Sequence, residues 1–113
     1  MTNPIPTNIQ EQLFTQARTV HAFESHPISD EQISQLYELM KWGPTAFNAQ
    51  PGRYVFVRSE AAKERLLPAL SPGNVAQVKS ASVTVIVAYD THFYEHLPSL
   101  YPAMDAKPFF EGK

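Results

Sequence analysis

The sequence predicts an α+β fold, and three observations favour this class. Residues 53–58 are mostly β-branched and aromatic and are bounded by turn residues, which is typical of a strand. Residues 82–89 form an apolar run without strict alternation, which predicts a second strand covered on both faces. Before and between these strands, apolar residues recur at helical spacing. We therefore expect one domain that contains both kinds of element.

The first predicted helix lies close to the N-terminus. Thr7 or Asn8 can cap it, and we expect it to run to about Ala17. The apolar residues of this segment share one face of the predicted helix: Ile9, Leu13 and Phe14.

A capping box predicts the second helix. Ser29 and Gln32 have the spacing of that motif, and Gly43-Pro44 ends the helix. We expect Trp42, at the end of the helix, to pack in the core. Four further apolar residues recur at helical spacing and are expected to face the core as well: Ile33, Leu36, Tyr37 and Met40.

Two shorter helices are predicted between the strands. Ser59 caps a third helix through about Leu67. Ser71 followed by Pro72 offers a cap and a first-turn proline for a short fourth helix.

The C-terminal part of the chain carries weaker patterns. Residues 92–97 predict one or two helical turns. Phe109 and Phe110 lie close to the end, and we expect them to pack against something, in the simplest case the core of the chain itself. Because two strands alone do not form a stable sheet, a further strand or a helical cover is also expected.

Length and composition exclude several classes of protein. The chain has 113 residues, which is enough for one core but not for a separate cofactor domain. A formal net charge of −2 argues against a nucleic-acid binder, and the absence of cysteine excludes disulfides and thiolate metal sites. The longest apolar stretch, residues 81–89, is too short to span a membrane. We therefore expect a cytoplasmic protein.

Two loops carry candidate binding residues. In the first, Arg18, Thr19 and His21 place a guanidinium, a hydroxyl and an imidazole within four residues, which suits a phosphate. In the second, Thr45 and Asn48 can hydrogen-bond the edge of a flat ligand, and small neighbours let the backbone approach it. Taken on their residues alone, the same loops are more simply explained as a solvated polar loop and an ordinary turn.

Together these segments resemble the flavin-dependent nitroreductase family. The family pattern is an Arg-(Ser/Thr)-x-(Arg/Lys) loop, a helix ending in an aromatic-(Gly/Ala)-Pro-(Ser/Thr)-x-x-Asn-x-Gln-Pro loop, and an aromatic, valine-rich strand. Residues 18–21, 42–51 and 54–57 follow it in order and spacing, with His21 standing where many members have Arg or Lys. Residues 39–45 and 86–90 look most like the malonic semialdehyde reductase branch.

The resemblance covers nearly the whole chain but only about the N-terminal half of a family member. It implies that residues 1–113 are a single nitroreductase-like domain, the N-terminal part of a longer family domain. The implied fold has helices packed on a mixed or antiparallel sheet, with FMN bound at the interface of a homodimer. NAD(P)H would be the co-substrate.

The implied reaction is reduction of a small molecule, either malonic semialdehyde to 3-hydroxypropionate or a nitro or quinone compound. The flavin would carry the chemistry, so no residue is assigned a catalytic role. The resemblance places three residues of the first loop near the ribityl phosphate, the second loop at the isoalloxazine and ribityl groups, and two later residues nearby. The implied cofactor-binding residues are Arg18, Thr19, His21, Pro44, Thr45, Ala46, Asn48, Asn74 and Lys79.

Two other interpretations remain open. The chain could be a catalytically incomplete flavoprotein fragment that dimerises or binds a partner through an unfinished sheet edge and the aromatic residues 101–110. Alternatively, His92, Glu95 and His96 match a His-x-x-Glu-His zinc pattern, which would make the chain a zinc hydrolase.

Overall fold

The computed structural model describes residues 3–113 as five helices, two strands and several short helical turns. The α-helices are α1 (Thr7–Gln10), α2 (Asp30–Met40), α3 (Glu60–Leu66), α4 (Val75–Ser80) and α5 (Leu97–Leu100). The strands are β1 (Gly52–Val57) and β2 (Thr84–Tyr89). Single helical turns lie at Ala46–Asn48, Leu67–Ala69, Pro72–Asn74, Phe93–His96 and Lys107–Phe109. The predicted α+β class, with helices around an antiparallel sheet, is confirmed.

The two strands pair with each other in antiparallel orientation. Gly52 lies opposite Tyr89 and Val57 opposite Thr84, so every residue of β1 has a partner in β2. Among the described residues no third strand joins them. The prediction that β2 is covered on both faces is therefore wrong for this chain. Val87 is 74% exposed, and most of β2 is open to solvent.

The predicted helix caps of α2 and α3 are present. The Ser29 hydroxyl accepts from the Gln32 amide, and the Gln32 side chain accepts in return from the Ser29 amide, completing the capping box. The Ser59 hydroxyl accepts from the Ala62 amide at the start of α3. These local hydrogen bonds fix both helix starts.

The first helix differs from its prediction at both ends. Pro6 rather than Thr7 or Asn8 is its N-cap residue, and the helix widens into a π-helical turn, Glu11–Thr15, that stops short of Ala17. Its apolar face is not buried either. Of the three residues on that face, Leu13 and Phe14 are mostly exposed and Ile9 is about one third exposed.

Helix α2 also exposes apolar residues that were expected in the core. Leu36, Tyr37 and Met40 are more than one third exposed, and Trp42 is 80% exposed. Only Ile33 is half-buried. The contacts that hold α2 come from β1 and its end: the Tyr37 ring meets the Tyr54 ring edge-on, and Arg58 binds the Asp30 carboxylate. One face of the helix is therefore left open.

The best-packed region lies beside the C-terminal turns rather than under the sheet. Leu97 is 1% exposed and packs with Ala49 and Ala106. Phe47 stacks on Phe109 at 5.6 Å between ring centroids, with an interplanar angle of 9°. Around them pack further aromatic rings, which are Phe93, Tyr94, Tyr101 and Phe110. The expectation that Phe109 and Phe110 pack on the chain itself is confirmed.

The chain is far from the compact shape expected for its length. Its Cα radius of gyration is 18.4 Å, whereas a compact domain of this length has about 13 Å. Its accessible surface is 9213 Å², against roughly 6,200 Å² for a compact protein of this mass. The chain therefore exposes about 3,000 Å² more surface than a compact protein of the same mass.

A buried lysine joins α3 to the end of α4. The Lys63 side chain is nearly inaccessible, and its ammonium group donates to the carbonyls of Ala81 at 3.1 Å and Lys79 at 3.4 Å. Glu60, one turn earlier, lies 3.0 Å from the same ammonium group. Because the last carbonyls of a helix have no partner within it, Lys63 caps α4 from the neighbouring helix.

We predict that Lys63→Met destabilises the chain by about 1–3 kcal/mol, because it leaves carbonyls at the end of α4 without their buried donor. Urea unfolding followed by circular dichroism measures the change. Arg65→Met, on the exposed part of the same helix, is the control and is expected to change stability by less than about 0.5 kcal/mol. Equal unfolding midpoints for the two variants would contradict the capping role.

Candidate functional site

The larger cleft lies between the end of α2 and the start of β1. Its volume is about 470 Å³, within the range of small-molecule sites. Tyr37 and Tyr54 contribute aromatic walls, and Pro44 and Thr45 from the second predicted loop form part of its rim. An adjoining depression of about 390 Å³ extends it along the same loop to Trp42 and Asn48. Among the described residues, no carboxylate lines either space.

The loop on the rim of this cleft has an unusual backbone. Phe47, Asn48 and Gln50 all have positive φ angles, at 52°, 52° and 47°. Such angles cost energy for residues other than glycine, and they persist only where surrounding contacts enforce them. Three left-handed residues within four positions fold the loop tightly. An ordinary turn does not require so many residues in this conformation.

Hydrogen bonds within the chain hold this loop. The Thr45 hydroxyl accepts from the Gln50 amide at 3.1 Å, and the Asn48 side chain donates to the Leu100 carbonyl at 2.8 Å. The Gln50 side chain donates to Asn48 Oδ1 at 2.9 Å. Both polar atoms of the Asn48 side chain are therefore engaged inside the chain, while the Thr45 hydroxyl hydrogen remains able to donate to a ligand.

Asp90 contacts two of the side chains that line the larger cleft. Asp90 accepts from the His92 amide at 2.9 Å and lies 3.4 Å from Arg53 Nη2 and 3.6 Å from His96 Nε2. The hydrogen bond from the His92 amide, with the nearby Arg53 charge, lowers the Asp90 pKa below its usual value of 3.8. Since Arg53 and His96 both line the cleft, the ionised Asp90 positions two of its lining side chains.

A second cleft of about 390 Å³ lies where the first predicted loop meets α4. Its floor is mostly apolar, with Val78 and Val83, while Thr19 and Gln77 add polar groups. Arg18 lies just before it and donates through Nη1 to the carbonyls of Thr15 and Ala17 at the end of the first helical segment. The other guanidinium nitrogens of Arg18 make no hydrogen bond within the described chain and can donate to an anion.

The structure separates the predicted site residues into two groups. Arg18, Thr19 and His21 lie on the loop beside α4, and Asn74 and Lys79 lie at the two ends of that helix with exposed side chains. Pro44, Thr45, Ala46 and Asn48 lie on the other loop. The second cleft shares no lining residue with the larger cleft or its extension. A single chain thus does not bring the two groups into one pocket.

The first loop and the larger cleft fit different parts of FMN. The first loop offers a cation, a hydroxyl and an imidazole, which are donors that a phosphate requires, and of these three residues Thr19 also lines the mostly apolar second cleft. The larger cleft has aromatic and small residues and can donate the Thr45 hydroxyl hydrogen, which suits a flat ring system. Each half therefore fits, but neither would hold the whole cofactor.

Four residues with roles at these clefts were missed from the sequence. Gln77 and Ser80 of α4 hold the first loop, Gln50 holds the second, and Asp90 joins Arg53 to His96. No local pattern marks Gln77 or Ser80. Gln50 and Asp90 lie in segments that carry the family likeness, but those segments do not indicate their contacts with Asn48 and Arg53.

The zinc interpretation gains no support. Residues Phe93–His96 form a tight 3-10 turn, and His96 turns toward Asp90 rather than toward His92. Within residues 3–113, no group of three or more metal-ligating side chains is placed to hold a metal ion.

In the same part of the chain, no helix has both the length and the apolar composition needed to cross a bilayer.

Comparison with known proteins identifies a family. The model of the nitroreductase family matches residues 14–109. The chain is 53% identical over 113 residues to a protein of Rhodopseudomonas palustris provisionally named NADH dehydrogenase/NAD(P)H nitroreductase, covering 100% of this chain and 58% of the relative. A protein of Polynucleobacter asymbioticus with the same provisional name is 52% identical over 103 residues, covering 91% of this chain and 53% of the relative.

A solved structure shows the same architecture. It is the crystal structure of a provisionally named nitroreductase from Exiguobacterium sibiricum in complex with FMN, with a TM-score of 0.74 and 26% identity. The match covers 97% of this chain and 52% of that protein. The chain thus spans about half the length of the relatives it matches.

We predict that Asp90→Asn destabilises the chain at neutral pH but not in acid. Because the pKa of Asp90 is lowered on folding, its ionised form stabilises the folded state above the unfolded value of 3.8, and this contribution is lost as the pH falls through the folded value. Urea midpoints of wild type and variant, measured from neutral pH to below 3.8, should therefore converge. A gap between the two proteins that does not change with pH would contradict this role.

Proposed function

The chain belongs to the nitroreductase family, and from that premise we propose that it is part of an FMN-dependent NAD(P)H oxidoreductase whose flavin site is shared between two copies of the chain. The observation that carries this proposal is the separation of the two loops. The first loop offers donors that suit a phosphate, the larger cleft suits a flat ring, and the clefts beside the two loops share no lining residue. A second copy can supply the half that each chain lacks, since in a two-fold symmetric pair the first loop of each copy can face the second loop of the other at two equivalent places.

In this proposal the residues of the chain bind the flavin and orient it. Arg18 and Thr19 would hold the phosphate of the flavin, with His21 as a further donor. Thr45 and the backbone of Pro44 and Ala46 would lie against the ring system from the other copy. When bound, FMN would accept a hydride from NAD(P)H and pass it to a second substrate.

The exposed surface supports association. About 3,000 Å² of excess exposed surface on one chain exceeds the roughly 1,000–2,500 Å² that each partner buries in obligate interfaces of about 2,000–5,000 Å² in total. Much of it is apolar, including Trp42, Phe14 and Leu39, which are three quarters exposed or nearly so. Such residues on a monomer would favour association in water.

The substrate we propose is a small carbonyl compound, malonic semialdehyde, reduced to 3-hydroxypropionate. The support is the likeness of residues 39–45 and 86–90 to that branch of the family. Nitro compounds and quinones are the alternative substrates. Formation of one 3-hydroxypropionate for each NAD(P)H consumed by the flavin-loaded protein would support the carbonyl assignment, and turnover of nitro or quinone compounds alone would reject it.

A second candidate function is a partner-binding module without catalysis. The exposed sheet favours it, because both faces of β1 and β2 present apolar side chains such as Val55 and Val87 and both outer edges are unpaired within the described chain. A purified chain that forms dimers but binds no FMN would favour this function over the first.

We predict that two flavin-binding defects complement each other when they lie in different halves of the site. Arg18→Glu repels the phosphate, and Ala46→Trp blocks the approach to the loop on the other side. Each variant alone should bind little FMN. After the two are mixed and allowed to exchange subunits, half of the dimers are mixed and one of their two sites is intact, so about a quarter of the sites should bind FMN.

Flavin absorption that remains with the protein after gel filtration measures the recovery. The matched control is a mixture of Arg18→Glu with His21→Glu, since both changes lie in the same half and cannot complement. Failure of the first mixture to recover FMN binding, with subunit exchange demonstrated, would place the whole site in one chain and reject the shared site.

A further inference from the structure

The loop that carries Arg18, Thr19 and His21 is fastened to α4 by two side chains. Gln77 Nε2 donates to the Val20 carbonyl at 2.6 Å, and the Phe23 amide donates to the Ser80 hydroxyl at 3.2 Å. Ser80 in turn donates to the Gln77 carbonyl at 3.1 Å. These contacts bridge more than fifty positions of sequence and set where the loop lies.

The contact with Val20 determines which way the Gln77 amide faces. A carbonyl oxygen only accepts hydrogen bonds, so the Gln77 atom 2.6 Å from it is the NH₂ group. The opposite orientation would place two oxygen acceptors against each other. The hydrogen bond to the Val20 carbonyl therefore fixes the orientation of the Gln77 amide.

The same NH₂ group faces one nitrogen of His21. Gln77 Nε2 lies 3.4 Å from His21 Nδ1. Because the NH₂ group donates and does not accept, Nδ1 has to offer a lone pair at this contact. A neutral imidazole with a lone pair on Nδ1 carries its hydrogen on Nε2, the nitrogen on the other side of the ring.

We propose that Gln77 is a positioning residue that holds neutral His21 with its hydrogen on Nε2, so that the imidazole presents a hydrogen-bond donor to a phosphate group. The inference rests on the proposed flavin site, in which His21 contributes to the phosphate half. It explains how a histidine can stand where many family members have a permanent cation. The imidazole does not need its positive charge to donate, because Nε2–H is already presented to the ligand.

The first test reads the hydrogen position directly, on the flavin-free chain. Long-range ¹H–¹⁵N correlation spectra distinguish a bare nitrogen from one that carries hydrogen, and His21→Asn identifies which signals belong to His21. We expect Nδ1 of His21 to be bare and Nε2 protonated at a pH where the ring is neutral. Gln77→Met removes the donor and should shift both signals toward a mixture of the two forms. A wild-type spectrum with hydrogen on Nδ1, or one unchanged by Gln77→Met, would overturn the proposal.

The second test measures binding. If only about half of the His21 population presents Nε2–H in Gln77→Met, FMN affinity should fall about twofold, since only the competent fraction binds well. Riboflavin, which lacks the phosphate, should lose no affinity. An equal loss for FMN and riboflavin would show that Gln77 merely shapes the loop, and would contradict the proposal.

Ser80→Ala is the matched control for loop position. It removes the other fastening of the same loop while leaving the Gln77 contact with His21 in place, so it should leave the His21 signals unchanged. A shift equal to that of Gln77→Met would mean that loop position, not Gln77, sets the form of His21. If the spectra behave as expected but FMN does not bind, the flavin site fails while the role of Gln77 on His21 stands.

Discussion

The constraint on which this structure depends is burial: the chain forms the elements of its fold without covering them. A two-stranded sheet and five short helices leave about 3,000 Å² more surface in water than a compact protein of the same mass. Within residues 3–113, only Leu97 among the larger side chains is fully buried. Since burial of apolar surface is the main force that stabilises folded proteins, the open faces of the sheet and of α2 favour contact with further polypeptide.

The same openness explains the form of the candidate site. Each loop is well held by its own neighbours, the first by Gln77 and Ser80 and the second by Asn48 and the aromatic cluster around Phe47. Well-held loops on open surfaces suit a binding site that a second chain completes, because little conformational order has to be created when the ligand binds. A flavin bound between two copies would use both loops and cover part of the exposed surface at once.

The local cap signals of α2 and α3 predicted their starts correctly, whereas the cap of the first helix and the long-range contacts were not predicted. Ser29 and Ser59 start helices through hydrogen bonds to residues three positions away, so their patterns are complete within one turn. Burial depends on what packs over a residue, and periodicity alone placed Trp42 and Leu36 in a core that the chain does not provide. Gln77 contacts Val20 and His21, and Asp90 contacts Arg53 of β1, and no local sequence pattern indicates these long-range contacts. The family likeness found both loops, but only the coordinates show that they lie on separate clefts.

The claim that the flavin site is shared between two chains is tested most directly by the mass of the species that carries the flavin. Sedimentation equilibrium of the FMN-saturated protein, followed at the visible absorption band of the flavin, reports only the molecules that hold it. We expect flavin to sediment with twice the chain mass of 12.7 kDa and to be released as dilution separates the chains. Flavin that stays bound to a single 12.7 kDa chain at every concentration would contradict the account.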